Sequence, residues 1–114
     1  MLVFKILRAS EWDALRGEGR SAGAPIDLTD GYIHLSKAEQ VVETAAKHFA
    51  QAEGLQLLAL DAGALGDALQ WEPSRGGALF PHLYRELRLA DVLWREPLPL
   101  VSGQHVFPSL ADRR

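Results

Sequence analysis

Asp30-Gly31-Tyr32-Ile33-His34-Leu35-Ser36-Lys37-Ala38-Glu39-Gln40 is the stretch that sets the architecture. Its first half alternates polar and apolar residues, the period-two pattern of a half-buried strand. Residues 31–35 therefore read as a short strand. Tyr32, His34 and Ser36 fall on one face and Ile33 and Leu35 on the other, because successive strand side chains alternate. The period then changes. Ala38, Val41, Val42, Ala45, Ala46 and Phe49 recur at helical spacing, which predicts a helix over 37–52. Ser36 stands at the N-cap position, and Glu39 three residues later completes a capping box. Glu43 and Lys47 are four apart on the outer face, and Gly54 terminates the helix.

Outward from this unit, Leu2 to Leu7 is apolar and partly β-branched and reads as a first strand. Ser10 caps a short helix over 11–16, with Glu11 and Asp13 in its first turn. Residues 17–25 are rich in glycine and polar residues and read as a loop, a candidate mobile flap. Residues 55–60 read as a buried apolar strand and 61–65 as a turn or one helical turn. Residues 69–72 form a short strand, and 73–77 a second loop. Further strands are expected over 83–87 and 92–96, after which Pro97 and Pro99 break regularity before a polar tail. The reading is α+β, with one long helix, one short helix and about five or six strands by pattern. It is a single domain over 1–114 with its core over about 2–100.

At 114 residues the chain buries roughly two-thirds of its unfolded surface on folding, enough for a core without staples. Apolar residues make up 47% and charged residues 24%, the composition of an ordinary globular protein. The net charge of −3 argues against a nucleic-acid partner, which calls for a Lys/Arg excess on one face. No cysteine is present, which excludes disulfides, thiolate metal sites and a cysteine nucleophile. No apolar run reaches the ~20 residues of a membrane span, and the N-terminus lacks signal-peptide features, so a cytoplasmic location without membrane attachment is expected.

Polar residues inside apolar strands cost free energy unless something bonds them. Three such segments occur: the Tyr32-His34-Ser36 face, Trp71-Glu72, and Phe80-Pro81-His82-Leu83-Tyr84. His34 reads either as a strand histidine satisfied by a carbonyl or as a site residue. Ser36 reads as a cap, and a helix N-terminus beside His34 suits an anion. Glu72 can bond ribose hydroxyls or stabilise a cationic sugar carbon. Pro81 fixes the backbone before His82, and Tyr84 shares the face of His82 if the segment is extended. His48 and His105 read as solvated residues without partners. His34, His82 and Glu72 form a loose metal-ligand set, with none of the usual close spacings. Neither a phosphate loop nor a Gly-x-Ser-x-Gly elbow is present.

Lys5-Ile6-Leu7, Trp12, Asp30-Gly31-Tyr32-Ile33-His34-Leu35-Ser36, Gln40, Trp71-Glu72 and Phe80-Pro81-His82-Leu83-Tyr84 resemble a family of small bacterial proteins, the domain of unknown function 952. The resemblance runs from about Leu2 to Val92. It implies an ADP-ribosyltransferase-like fold, with bent or split antiparallel β-sheets around a cleft that takes NAD. His34-Leu35-Ser36 before an alanine-rich helix, then Leu58-Ala59-Leu60-Asp61-Ala62, also resembles the NAD-dependent RNA 2′-phosphotransferases. The arginines that branch uses are represented only by Arg75, Arg85 and Arg88.

By that resemblance His34 and Ser36 occupy the second-strand position of the site, Glu72 the late acid, and Lys5 and Arg8 are the first-strand cations. The implied catalytic residues are His34, Glu72 and His82. The implied NAD-binding residues are Tyr32, His34, Ser36, Gln40 and Tyr84, with Tyr32 or Tyr84 stacking on nicotinamide. The expected activity is transfer of ADP-ribose or cleavage of the nicotinamide bond, with a small nucleotide as partner. The alternatives are a non-catalytic nucleotide-binding module and, behind it, a metal-dependent hydrolase.

Overall fold

The computed structural model describes residues 1–114, with every side chain except that of Arg75. Six consecutive residues of β1 (Leu2–Leu7) are buried, because the strand is packed on both faces. Leu2, Phe4 and Ile6 meet Val41 and Ala45, while Val3 and Leu7 meet Leu15, Ile33 and Leu35. β1 pairs antiparallel with β4 (Leu55–Asp61), from Leu2 opposite Asp61 to Leu7 opposite Gln56. β4 in turn pairs with β8 (Val92–Leu98) across a register shift at Ala59/Leu60, giving the order β1-β4-β8. β8 is an edge strand, which is where Pro97 is tolerated opposite Gln56.

The second sheet has the order β3-β6-β5, from β3 (Ile33–His34), β5 (Leu69–Ser74) and β6 (Ala78–Leu83). His34 lies opposite His82, and Glu72 opposite Phe80. The two sheets share the core cluster of Val3, Leu58, Leu60, Ile33, Leu69 and Leu83, and a backbone bridge links them at Ser36. Ser36, just past β3, exchanges both backbone hydrogen bonds with Phe4 on the free edge of β1, at 2.8 and 2.9 Å. Leu35 N–H meanwhile donates to the Pro81 carbonyl at 3.0 Å. The fold is α+β, with two three-stranded and two two-stranded antiparallel sheets among the described residues.

The helices are α1 (Ala9–Glu18), α2 (Pro25–Asp30), α3 (Ala38–His48) and the single turn α4 (Ala62–Leu65). The expectation of one long and one short helix is corrected: α1 is ten residues, nearly as long as α3 with eleven, and α2 is a further helix, of which only Pro25 falls in the stretch expected to be loop. Residues 17–25 are not a free flap. They contain the end of α1, then β2 (Arg20–Ser21) paired with β7 (Leu87–Arg88), and at Pro25 the first residue of α2. Strand 83–87 is replaced by β6, which ends at Leu83, and by β7. Pro73 and Ser74, read as loop, continue β5. A two-residue hairpin of β9 (Leu100–Val101) and β10 (Gln104–His105) follows β8.

Helix starts are displaced, by one residue in α3 and by two in α1. Ser36 is not the cap of α3, because its backbone is spent on the bridge to Phe4. Lys37 is the N-cap, and Gln40, not Glu39, reaches back to its N–H at 3.0 Å. Arg8 rather than Ser10 caps α1, with Glu11 accepting from its N–H at 2.8 Å. Among the described residues no helix is long and apolar enough to cross a membrane.

Candidate functional site

The site grows from a short helix whose sequence signals are Pro25 at its first position, Asp27 at N3 and Gly31 just beyond its end, at φ 85°. These are standard start and stop signals. Asp27 accepts from the Ala24 N–H at 2.8 Å, as an N3 acid does. The same carboxylate is buried and takes three further donors: Lys5 Nζ at 2.8 Å, His34 N–H at 3.0 Å and His34 Nδ1 at 2.6 Å. Lys5 Nζ also donates to the His34 carbonyl at 3.1 Å. Thus β1, α2 and β3 are tied through one aspartate. Burial by itself raises the Asp27 pKa; the bonds from His34 and the charge of Lys5 outweigh it and hold the carboxyl well below its ordinary range.

β3 and β6 place His34 and His82 side by side, ring centroids 5.5 Å apart. His34 Nε2 lies 2.9 Å from Asp30 Oδ2. His82 is only 2% exposed, and its Nδ1 bonds Glu72 Oε1 at 2.8 Å. Tyr84 donates to the same oxygen at 2.7 Å. These two bonds, Tyr84 first, lower the Glu72 pKa, and the carboxylate pushes the Tyr84 phenol up to about 12. Tyr32 stacks on His82 with centroids 4.1 Å apart and tilts against His34 and Tyr84. Its phenol is raised by burial and by the charges of Asp30, Glu72 and Asp27.

A cleft of about 660 Å³ opens where the sheets diverge. Its apolar wall includes Phe4, Ile6, Phe49 and Phe80, and its polar wall Lys5, Arg8, Asp30, His34, Ser36, Thr44 and His82. Tyr32 and Tyr84 instead line a smaller hollow of about 270 Å³ with Arg85. Of the residues expected at a site, His34, His82, Glu72, Tyr32 and Tyr84 form one contiguous cluster. Ser36 borders the cleft with its hydroxyl 3.0 Å from Thr44 Oγ1. Gln40 stands apart: its oxygen takes the Lys37 N–H and its Nε2 donates to the Leu79 carbonyl at 2.8 Å, pinning α3 to β6.

Asp27 and Asp30 were missed, although the Pro25–Gly31 helix signal was present. Two other histidines differ from expectation. His105 Nε2 lies 2.8 Å from the Ala52 carbonyl, and His48 borders the cleft. Arg85 is held by Asp91 in a two-point contact at 2.9 and 3.0 Å, while the Arg75 side chain lies outside the described residues. Among the described residues no three His, Asp or Glu side chains are grouped to hold a metal ion.

The chain is similar to a solved Caulobacter crescentus protein, CC0527. Its crystal structure superposes with a TM-score of 0.90 at 50% identity, over 93% of this chain and 94% of that one. The solution structure of the same protein gives a TM-score of 0.82 at 50% identity, over 91% and 90% of the two chains. A comparison with curated proteins finds no match. A family model described as a protein of unknown function, DUF952, matches residues 6–95. With that match across most of its length and the fold of CC0527, the chain belongs to the DUF952 family.

Proposed function

We propose that this chain takes NAD into the cleft between its sheets, in an ADP-ribosyltransferase-like arrangement. There it acts at the bond between nicotinamide and ribose, passing ADP-ribose to an acceptor or to water. The observation that carries the reading is the His82–Glu72 pair. Glu72 fixes Nδ1 of a buried histidine on the cleft wall, and Nε2 has no partner among the described residues. A histidine held this way is suited to proton transfer. Bond cleavage leaves the electron pair on the nicotinamide nitrogen and positive charge on the ribose; the attacking hydroxyl gives its proton to His82 Nε2. Glu72, kept ionised by Tyr84 and His82, supplies negative charge behind that histidine and holds its ring in place, as the aspartate of a catalytic triad does.

The cleft volume of about 660 Å³ falls within the roughly 300–1,000 Å³ typical of ligand pockets. Its aromatic wall suits planar rings, and its polar wall suits ribose and phosphate. In this reading His34 orients the ribose or pyrophosphate, with Ser36 beside it. Tyr32 and Tyr84 support the histidines from behind, and Gln40 shapes the wall by holding α3 against β6.

The test is nicotinamide release from NAD by the purified protein, run beside amide shifts of labelled protein during NAD titration. Shifts at Tyr32, His34, Glu72 and residues 80–84 are expected, with release falling about 100-fold or more in His82→Ala. Unchanged spectra at millimolar NAD reject the reading. A nucleotide-binding module without turnover is the second reading. Lys5 favours it, because the buried first-strand cation is spent on Asp27 and the His34 carbonyl. Shifts without nicotinamide release select it.

A further inference from the structure

The two carboxylates that flank the His34 ring differ in what they can do. Each ionised carboxylate only accepts hydrogen bonds, so satisfying both takes a proton on each ring nitrogen. Asp27, at Nδ1, is sealed in and serves four donors. Asp30, at Nε2, is the last residue of α2; its side chain is 35% exposed and has no other bonding partner among the described residues. A carboxylate at a helix C-terminus is disfavoured by the carbonyl ends gathered there. The position of Asp30 is therefore explained by His34 and not by its helix. Beside this ring, His82 lines the same cleft with no partner for its Nε2 among the described residues, and Arg8 lies on the cleft wall.

We propose that the Nε2 edge of His34 is a seat for a phosphate or pyrophosphate oxygen, and that Asp30 is the internal carboxylate an incoming anion must displace. Asp30 is then a specificity-determining residue: it weakens binding of anions that cannot also use His82 and Arg8. The proposal rests on the nucleotide reading only for which molecule carries the phosphate. The contact given up is about one-third exposed, and ion pairs open to solvent contribute little, so removing the competitor is worth about fivefold in affinity at most.

The experiment is titration of inorganic pyrophosphate, and separately ADP-ribose and NAD, into wild type, Asp30→Asn and Glu11→Gln. Glu11 lines the same cleft without touching His34, so it reports the general effect of losing one negative charge. Pyrophosphate is expected to bind Asp30→Asn three- to fivefold more tightly than wild type, to leave Glu11→Gln near wild type, and to move the His34 Nε2 nitrogen resonance. Equal affinity in wild type and Asp30→Asn, an equal gain in Glu11→Gln, or an unmoved His34 resonance overturns it. Should pyrophosphate fail while NAD still binds, the seat falls and the nucleotide reading stands. Should pyrophosphate behave as expected while NAD does not bind, the seat stands and NAD falls.

Discussion

Replacing Asp27 by Asn tests whether the network behind His34 is built as described. In the native protein the carboxylate takes Lys5, the Ala24 N–H and two His34 donors, with the Asp27 side chain fully buried and that of Lys5 6% exposed. Removing one partner of a buried pair costs about 3–5 kcal/mol, since the remaining charge is stranded. The amide oxygen that asparagine retains keeps part of the backbone bonding, so the low end, about 3 kcal/mol, is expected. That corresponds to a urea midpoint lower by about 2 M at a slope of about 1.5 kcal/mol/M, and to a melting temperature lower by about 12 °C.

The pH dependence has a defined sign. The folded-state pKa of Asp27 is depressed, so its contribution is complete above the unfolded value of about 3.9 and is lost as pH falls from there toward the folded value. The gap between wild type and Asp27→Asn should therefore be level through neutral pH and narrow below about pH 4. A cost under about 0.5 kcal/mol in urea unfolding, or a gap that widens on acidification, refutes the reasoning.

Three more expectations follow from single contacts. A Cβ at Gly23 would sit 2.5 Å from Asp27 Oδ2, at φ 108°, so Gly23→Ala should lower stability by about 1–3 kcal/mol in thermal unfolding. Gln40→Ala should cost about 1 kcal/mol, more than Glu39→Ala, because Gln40 and not Glu39 closes the α3 cap; equal costs in urea unfolding would contradict the assignment. Tyr84→Phe removes a donor to Glu72, so the Glu72 carboxyl should titrate higher by NMR. Conversely, Glu72→Gln should bring the Tyr84 phenol down from about 12 in an ultraviolet titration.

The alternation in residues 31–36 was legible because a strand with one polar and one apolar face leaves a period that few other structures produce: Ile33 and Leu35 are indeed buried, and His34 faces His82. α3 was legible for the same reason, though its ends were not: it runs Ala38–His48, stopping four residues short of the expected end at Ala52. Sequence shows that Ser36 can cap a helix but not that Phe4, 32 positions earlier, claims its backbone. α2 gave no legible period of its own, since six residues give too few turns for one to register. With it went Asp27 and Asp30, whose importance lies in contacts to Lys5 and His34 that no local pattern encodes.

Lys5 poses the remaining question of cause. It stands in a strand otherwise made of Leu, Val, Phe and Ile, and an apolar residue there would avoid the cost of taking two charges out of water. Replacing a buried ion pair by uncharged side chains is often nearly neutral. Stability alone is thus a weak reason for the Lys5–Asp27 pair; orientation of His34 is a better one, because Asp27 grips both its backbone and its ring. The double substitution Lys5→Met/Asp27→Asn separates the two. It should recover most of the cost of Asp27→Asn, ending within about 1–2 kcal/mol of wild type, because no charge is left stranded. His34 should nevertheless lose its fixed ring geometry, read as altered ring-nitrogen shifts and weaker contact with Tyr32 in the folded protein. A double variant as unstable as the single one would make the pair a stability device after all; one with unchanged His34 resonances would remove Asp27 from any role in aiming the ring.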